Sequence, residues 1–312
     1  DAHQAMGASA CKTAGDGGLH ATLADQVEGP LNSGYFGGGV TAARVAFKYL
    51  IAPREPANEG VYRPLKLILP EGKILSAKPT APMAGYPMPL PTVIDSVIRC
   101  LENALPHLVT GGHFGTHSGF QVYGNYSDGR RFHGHDSGHG GWGAGLGHDG
   151  AGPFRTMAHG DTRLIPMELQ ESVLPFRIRE LSLRADSGGA GAFRGGMGFH
   201  KEYEFLHDAF LITNVDRMKF PPWGVRGGSA AKSGRVTVIK PDGTRQIMGK
   251  AKSFPLKKGD RVILETGGGG GWGPPGERSL ELIQRDLDRG YITAEAAEKD
   301  YGVTIVDGNA ER

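Results

Sequence analysis

The chain has 312 residues, with 35 Lys and Arg against 33 Asp and Glu and a formal net charge of +2. That balance argues against nucleic acid or a membrane surface as main partner, since both recruit a basic patch. No apolar run approaches the roughly 18 to 20 residues that span a bilayer, residues 1–18 lack the charged-then-apolar pattern of a secretory signal, and two cysteines are too few for a disulfide framework. A cytoplasmic protein is expected.

Two features are unusual. Glycine supplies 51 residues, more than twice its usual share of about 7%. The chain also opens on Asp1 rather than Met, in an aperiodic small-residue stretch that reads as the start of a piece cut from mid-protein or, equally, as a removed tag. The glycines fall in short clusters (Gly37 to Gly39, Gly188 to Gly191, Gly267 to Gly271) between apolar segments. They read as tight corners of a packed protein, because glycine allows close backbone approach.

In chain order, the apolar spacing predicts a short buried helix over 41–51. A second is expected over 92–105, with Thr92 as cap, Asp95 three residues on, and Pro106 as stop. Strand-like alternation follows at 177–184 and 199–206. Strands at 236–240 and 246–250 flank the Pro241-Asp242-Gly243 turn, and another is expected at 261–265. Near the end, 279–289 carries Leu280, Ile283 and Leu287 on one face before Gly290, and a short helix follows at 293–301. The expected fold class is α+β: a Gly-rich α+β segment (1–160) with a Gly/His-rich loop, an antiparallel β-sandwich or barrel (161–275), and a C-terminal helical hairpin (276–312).

Histidine is concentrated. Eight of 12 lie between His107 and His159, most densely in Phe132 to Trp142 (FHGHDSGHGGW). His133, His135, Asp136 and His139 are residue types that ligate first-row metals. The stretch superficially resembles the His-x-His-x-Asp-His loop of metallo-β-lactamases, but here Asp follows the second His directly and the third His comes three residues later. Three readings stay open: a metal site, a metal-free pocket in which His and Asp act as acid and base, and a Gly-rich loop with solvated side chains. His148-Asp149 and His159-Gly160-Asp161 would be further arms of such a pocket. Gly267 to Gly271 is not followed by Gly-Lys-Ser or Gly-Lys-Thr, so it is a structural loop rather than a phosphate loop. Neither cysteine sits in a nucleophile context, and no Gly-x-Ser-x-Gly elbow occurs.

The run from Leu183 to Gly198 (LRADSGGAGAFRGGMG) resembles a hallmark of hydantoinase B and 5-oxoprolinase subunits, a family related to acetone and acetophenone carboxylase subunits. Residues 58–64 (NEGVYRP), 220–224 (FPPWG), 265–273 (ETGGGGGWG), 29–32 (GPLN) and 301–303 (YGV) agree in order. The resemblance covers nearly the whole chain from about residue 20, yet only the C-terminal part of the family's B-type subunit. It implies a partner, an A-type subunit of the actin-like kinase class, which uses ATP with Mg to phosphorylate a substrate carbonyl oxygen. The B-type subunit then hydrolyses the activated lactam or imide, or carboxylates the ketone-derived enol phosphate.

The resemblance further implies that a His/Asp cluster for a divalent metal (Zn or Mn) lies in a leading half with no counterpart here, so that half would be a separate chain or missing sequence. Asp149 and Glu168 occupy matching places, whereas Asp161 stands where the family has Asn. The expected catalytic set is His135, Asp136, His148 and Asp149, as acid/base or water-orienting groups. The alternatives are a structural or docking subunit without catalytic residues, and a stand-alone metallohydrolase using His133, His135 and His139.

Overall fold

A computed structural model describes residues 12–13, 19–20, 23–160 and 162–312. Strands β1 (Lys12–Thr13) and β2 (Leu19–His20) pair antiparallel. The chain divides into two compact units, one formed by residues up to Val109 together with Met157–Gly160, the other by Thr110–Thr156 and the rest. The chain passes into the second unit for good after Gly160, and the segment beyond 275 stays within it. Residues 110–156 carry two strands of the β unit, and the final segment is bound into that unit by ion pairs.

In the first unit, the motif at 29–32 is a turn clamped by its asparagine. The fully buried Asn32 accepts from the Val27 amide at 2.8 Å and donates to the Val27 and Gly29 carbonyls at 2.7 and 3.1 Å. A wide helical turn at Tyr35–Val40 leads into α1 (Thr41–Ile51), and Asn58 caps the short α2 (Glu59–Tyr62) by accepting from Val61 N. Helix α3 spans Leu90–Cys100. It begins two residues before the expected Thr92 cap because Pro89 and Pro91 suit a first turn, where no amide donor is required. Thr92 lies buried inside it, and the chain leaves the helix in turns well before Pro106. Ala42, Ala46 and Leu50 of α1 pack with Leu90, Ile94 and Ile98 of α3, the same-face spacing expected of two amphipathic helices.

The second unit is built on two antiparallel sheets. The first is ordered β10-β7-β3-β4, from β3 (Gly119–Asn125), β4 (Arg131–Ser137), β7 (Ala209–Asn214) and β10 (Ala251–Leu256). The second is β5-β6-β11-β8-β9, from β5 (Phe176–Leu183), β6 (Phe199–Phe205), β8 (Arg235–Ile239), β9 (Arg245–Met248) and β11 (Arg261–Glu265). Their inner faces share one core that includes Phe120, Val122 and Leu211 of the first sheet and Tyr203, Val238 and Leu264 of the second. The Phe120 and Tyr203 rings stack across it at 4.4 Å. The α+β class with an antiparallel sandwich is what the sequence predicts.

A difference lies at the His-rich stretch, expected as a loop. It is β4, paired along its length with β3. Its inward positions are Phe132, Gly134 and Asp136, so the usual apolar alternation is hidden. At Gly134 a Cβ would stand 2.4 Å from the Leu174 side chain, which would have to shift to admit it.

Short α4 (Met167–Val173) precedes β5. At the end, α5 (Leu280–Asp288) and α6 (Ala294–Tyr301) lie where two helices are expected, and Ser279 and Thr293 cap them. A small hairpin that the sequence pattern does not reveal follows, β12 (Thr304–Val306) with β13 (Asn309–Glu311). Ile283, Ile292, Ala297, Tyr301 and Val303 close a satellite core over Ala190.

Glycine holds the middle of this unit. Gly270 donates to the Gly112 carbonyl at 2.8 Å and accepts from Ala144 N at 2.9 Å. Gly269 donates to Gly196 O, Gly141 to Gly267 O and Gly271 to Ser229 O. One extended segment thus bonds with several others, at separations no side chain permits. A Cβ on Gly269 would lie 1.9 Å from the Trp142 carbonyl oxygen, backbone that cannot yield like a flexible side chain. Gly269→Ala is expected to lower the unfolding free energy by about 3 kcal/mol, the upper range for overpacking. Gly276→Ala, whose Cβ meets nothing within 4 Å, stays within about 0.5 kcal/mol. Urea denaturation of both variants checks this.

Candidate functional site

Alternation along β4 sorts its chemistry onto two faces. Asp136 is buried, whereas the neighbouring His133 and His135 are exposed on the other face. The Asp136 carboxylate accepts from Lys201 Nζ at 2.6 Å, Tyr203 OH at 2.8 Å and its neighbour's amide, Ser137 N, at 2.8 Å. Lys201 also reaches Gln170 Oε1 at 3.3 Å. Burial alone would raise the Asp136 pKa, but the Lys201 ammonium and these donors hold it below the usual carboxylate range. The Tyr203 hydroxyl is pushed well above its ordinary value by burial and by Asp136. Asp136 is thus a permanently charged acceptor with its lone pairs committed, a positioning group rather than a proton carrier. Reasoning from sequence misses Lys201 and Tyr203. A signal is present, since Phe199, Lys201, Tyr203 and Phe205 are all inward positions of one alternating strand.

Beyond the strand, His139 is buried and its Nε2 contacts Thr162 O at 3.0 Å. Arg155 is also buried, and its guanidinium donates to Ser137 Oγ. Trp142 Nε1 donates to the Arg155 carbonyl at 2.7 Å, and Gly140 and Phe154 exchange both backbone bonds, so the segment bearing Arg155 is pinned. Burial first, and Arg155 among the charges, lower the pKa of both His135 and His139, favouring neutral imidazoles.

Asp149 belongs to another cluster. Its carboxylate receives Arg278 through two bonds at 2.7 and 2.9 Å, Arg285 at 2.6 Å and the Arg194 amide at 2.8 Å. Asp286 pairs with Arg278 at 2.7 Å and with Arg194 at 2.9 Å. Burial would raise the Asp149 pKa, but Arg278 and its neighbours outweigh it and bring it to about 2. A carboxylate so placed is a poor base. It ties the C-terminal helices to the chain around Gly150, which itself donates to Arg194 O. His148 is exposed, with Nδ1 3.2 Å from the Asp149 carbonyl oxygen.

The expected catalytic set therefore does not come together. Among the described residues, neither His148 nor Asp149 makes a hydrogen bond or ion pair with His135 or Asp136. Glu168 is exposed in the first turn of α4, and Asp161 lies outside the described residues. His133, His135 and His139 do not converge either. The one triad of potential ligand atoms within 4.8 Å among the described residues is Glu180, His200 and Glu202, and there Glu202 is committed to Arg261 at 2.7 Å. No helix among the described residues is long and apolar enough to cross a membrane.

Two outcomes follow from the geometry. Lys201→Met strands a buried carboxylate and is expected to cost about 3 to 5 kcal/mol, part of it recovered in the Asp136→Leu/Lys201→Met pair; equilibrium unfolding checks both. For Asp149, the folded pKa lies below the unfolded value of about 4, so its stabilisation is present above that value and lost as pH falls through about 2. The wild-type stability advantage over Asp149→Asn should shrink by roughly 2 kcal/mol across that window, measured as urea midpoints from pH 5 downward.

Comparison with known proteins places this architecture. The Hydantoinase B/oxoprolinase family pattern matches residues 12–275. An uncharacterized protein of Methanocaldococcus jannaschii is 35% identical over 284 residues, covering 90% of this chain and 49% of its own length. The beta chain of caprolactamase from Pseudomonas jessenii is 32% identical over 294 residues, covering 89% of this chain and 49% of that protein. The B-type component of a putative D-/L-hydantoinase from a Pseudomonas species is 30% identical over 257 residues, with 81% and 42% covered. The chain spans about half the length of the curated relatives it matches.

Among solved structures, the ATP-dependent caprolactamase of Pseudomonas jessenii superposes with a TM-score of 0.81 at 28% identity, over 93% of this chain and 52% of that one. Nucleotide-free acetone carboxylase shares the fold, with a TM-score of 0.77 at 20% identity, over 95% of this chain and 45% of that one. With a match across most of its length and relatives above 30% identity, the chain belongs to the hydantoinase B/oxoprolinase family.

Proposed function

We propose that this chain is the C-terminal part of a B-type subunit in an ATP-dependent enzyme complex that hydrolyses a lactam or cyclic amide, or carboxylates a ketone. The similarity to caprolactamase, in sequence and in fold, carries the reading. In it, an A-type, actin-like kinase subunit holds ATP and Mg and phosphorylates the substrate's carbonyl oxygen. That step turns an inert amide or ketone into an electrophile or a masked enolate, and the B-type subunit completes the reaction in a site where water is controlled. A divalent metal, Zn or Mn, would be held by the other half of the B-type subunit. The donors here do not fit that task, since His133 and His135 stand in a row along one strand face while Asp136 is bound to Lys201. We place the complex in the cytoplasm.

Within this half, His135 is the expected residue best suited to proton transfer, because it is exposed and its lowered pKa leaves it neutral near pH 7. A second reading, a docking subunit without catalytic groups, is favoured by the saturation of both Asp136 and Asp149 with cations. Co-expression with an A-type partner and assay of ATP-dependent opening of caprolactam, hydantoin and 5-oxoproline, and of acetone carboxylation, tests the proposal. His135→Ala is expected to lower kcat by about 10² or more while assembly persists. Unchanged turnover in that variant selects the docking reading, and turnover without nucleotide defeats the proposal.

A further inference from the structure

Buried cations of the second unit face carboxylates at several places, and Arg155 is met differently. Arg278, fully buried, faces Asp149 and Asp286, and buried Arg194 faces Asp286. Arg155 is only 7% exposed, yet among the described residues it forms no ion pair. Its guanidinium donates to the neutral Ser137 hydroxyl, and its Nε has no hydrogen-bond partner. The carboxylate that acts on it electrostatically is Asp136, already held by Lys201, Tyr203 and the Ser137 amide. Two cations, Arg155 and Lys201, therefore share one anion. A buried guanidinium with an unused donor is costly to maintain unless something negative completes it.

The surroundings indicate what that would be. Ser137 follows His133 and His135 at strand alternation, so Arg155 binds at the end of the face that carries these exposed imidazoles. His139 comes two residues later, and both His135 and His139 lie within electrostatic reach of Arg155. β4 is the last strand of its sheet, and Arg155 keeps 7% of its surface exposed, so solvent still reaches the residue. The planar fork offers paired N–H donors to two oxygens of one group, and the exposed His135 imidazole can add a donor. We propose that Arg155, with His135 on the same strand face as its Ser137 partner, forms a binding site for a small oxyanion of the phosphate or carboxylate class. The site does not depend on the function proposed above, although a phosphorylated or carboxylated substrate presents such a group.

The test titrates the 312-residue chain, in whatever complex it purifies, with inorganic phosphate and separately with acetate. Chloride at equal ionic strength is the reference, and calorimetry and thermal shift are the readouts. Saturable binding is expected, weakened roughly tenfold or more in Arg155→Gln and unchanged in Arg130→Gln, which alters an exposed arginine paired with Asp128. Arg155→Lys keeps the charge without the fork and should fall between. If Arg155→Gln does not fold, the exposed His135→Gln supplies the readout, with a loss of about threefold. Saturation by phosphate alone assigns a tetrahedral anion, and saturation by acetate assigns a carboxylate. No saturable response beyond chloride, undiminished binding in every Arg155 and His135 variant that folds, or an equal loss in Arg130→Gln would overturn the site.

Discussion

The closeness of backbone to backbone around Gly267–Gly271 governs the second unit. Peptide groups from residues 111–112, 141–144, 189–196 and 225–229 bond to this segment or to each other, at separations where even a methyl group would overlap a carbonyl oxygen. No hydrophobic core supplies that arrangement. Its cohesion comes from saturated peptide hydrogen bonds and close packing. The family's glycine-rich stretches are therefore pieces of a single object. The hallmark at 183–198 and the run at 265–273 meet where Gly195 lies against the Gly269 carbonyl and Phe193 exchanges both bonds with Trp272.

Around this hub the molecule arranges charge by two different rules. At Asp149 the ion pairs are mutual. Arg194, Arg278 and Arg285 surround Asp149 and Asp286, and the network fastens the terminal helices to the glycine segments. At Asp136 the balance is asymmetric. Lys201 satisfies the carboxylate from the opposite sheet, through the sandwich interior, while Arg155 approaches the same strand with only a hydroxyl to meet it. Buried ion pairs contribute little net stability, and a charge left alone inside a protein is expensive. The first cluster is the signature of a fastening. The second is that of a surface prepared for something that arrives.

This difference bears on which groups of the chain stay available. Carboxylates that might have served as bases are held as anions by cations, whereas on the β4 face the His135 imidazole is exposed, with its pKa lowered.

Much was legible in the sequence. Helices with period-four apolar faces, the alternating strands at 199–205 and 261–265, the Pro-Asp-Gly turn and the ordered family motifs all follow from local chemistry, so a linear pattern suffices to read them. What lay hidden depended on partners distant in the chain. β4 was unreadable because its inward positions hold glycine and aspartate, chosen for Leu174 and Lys201, residues 40 and 65 positions away. Asp149 looked like a pocket acid until Arg278 and Arg285, well over a hundred residues on, were brought to it. Sequence determined the elements and the family, since backbone preference and periodicity are local. Tertiary structure alone decided which charges are balanced, because that depends on where the fold places the opposite charge.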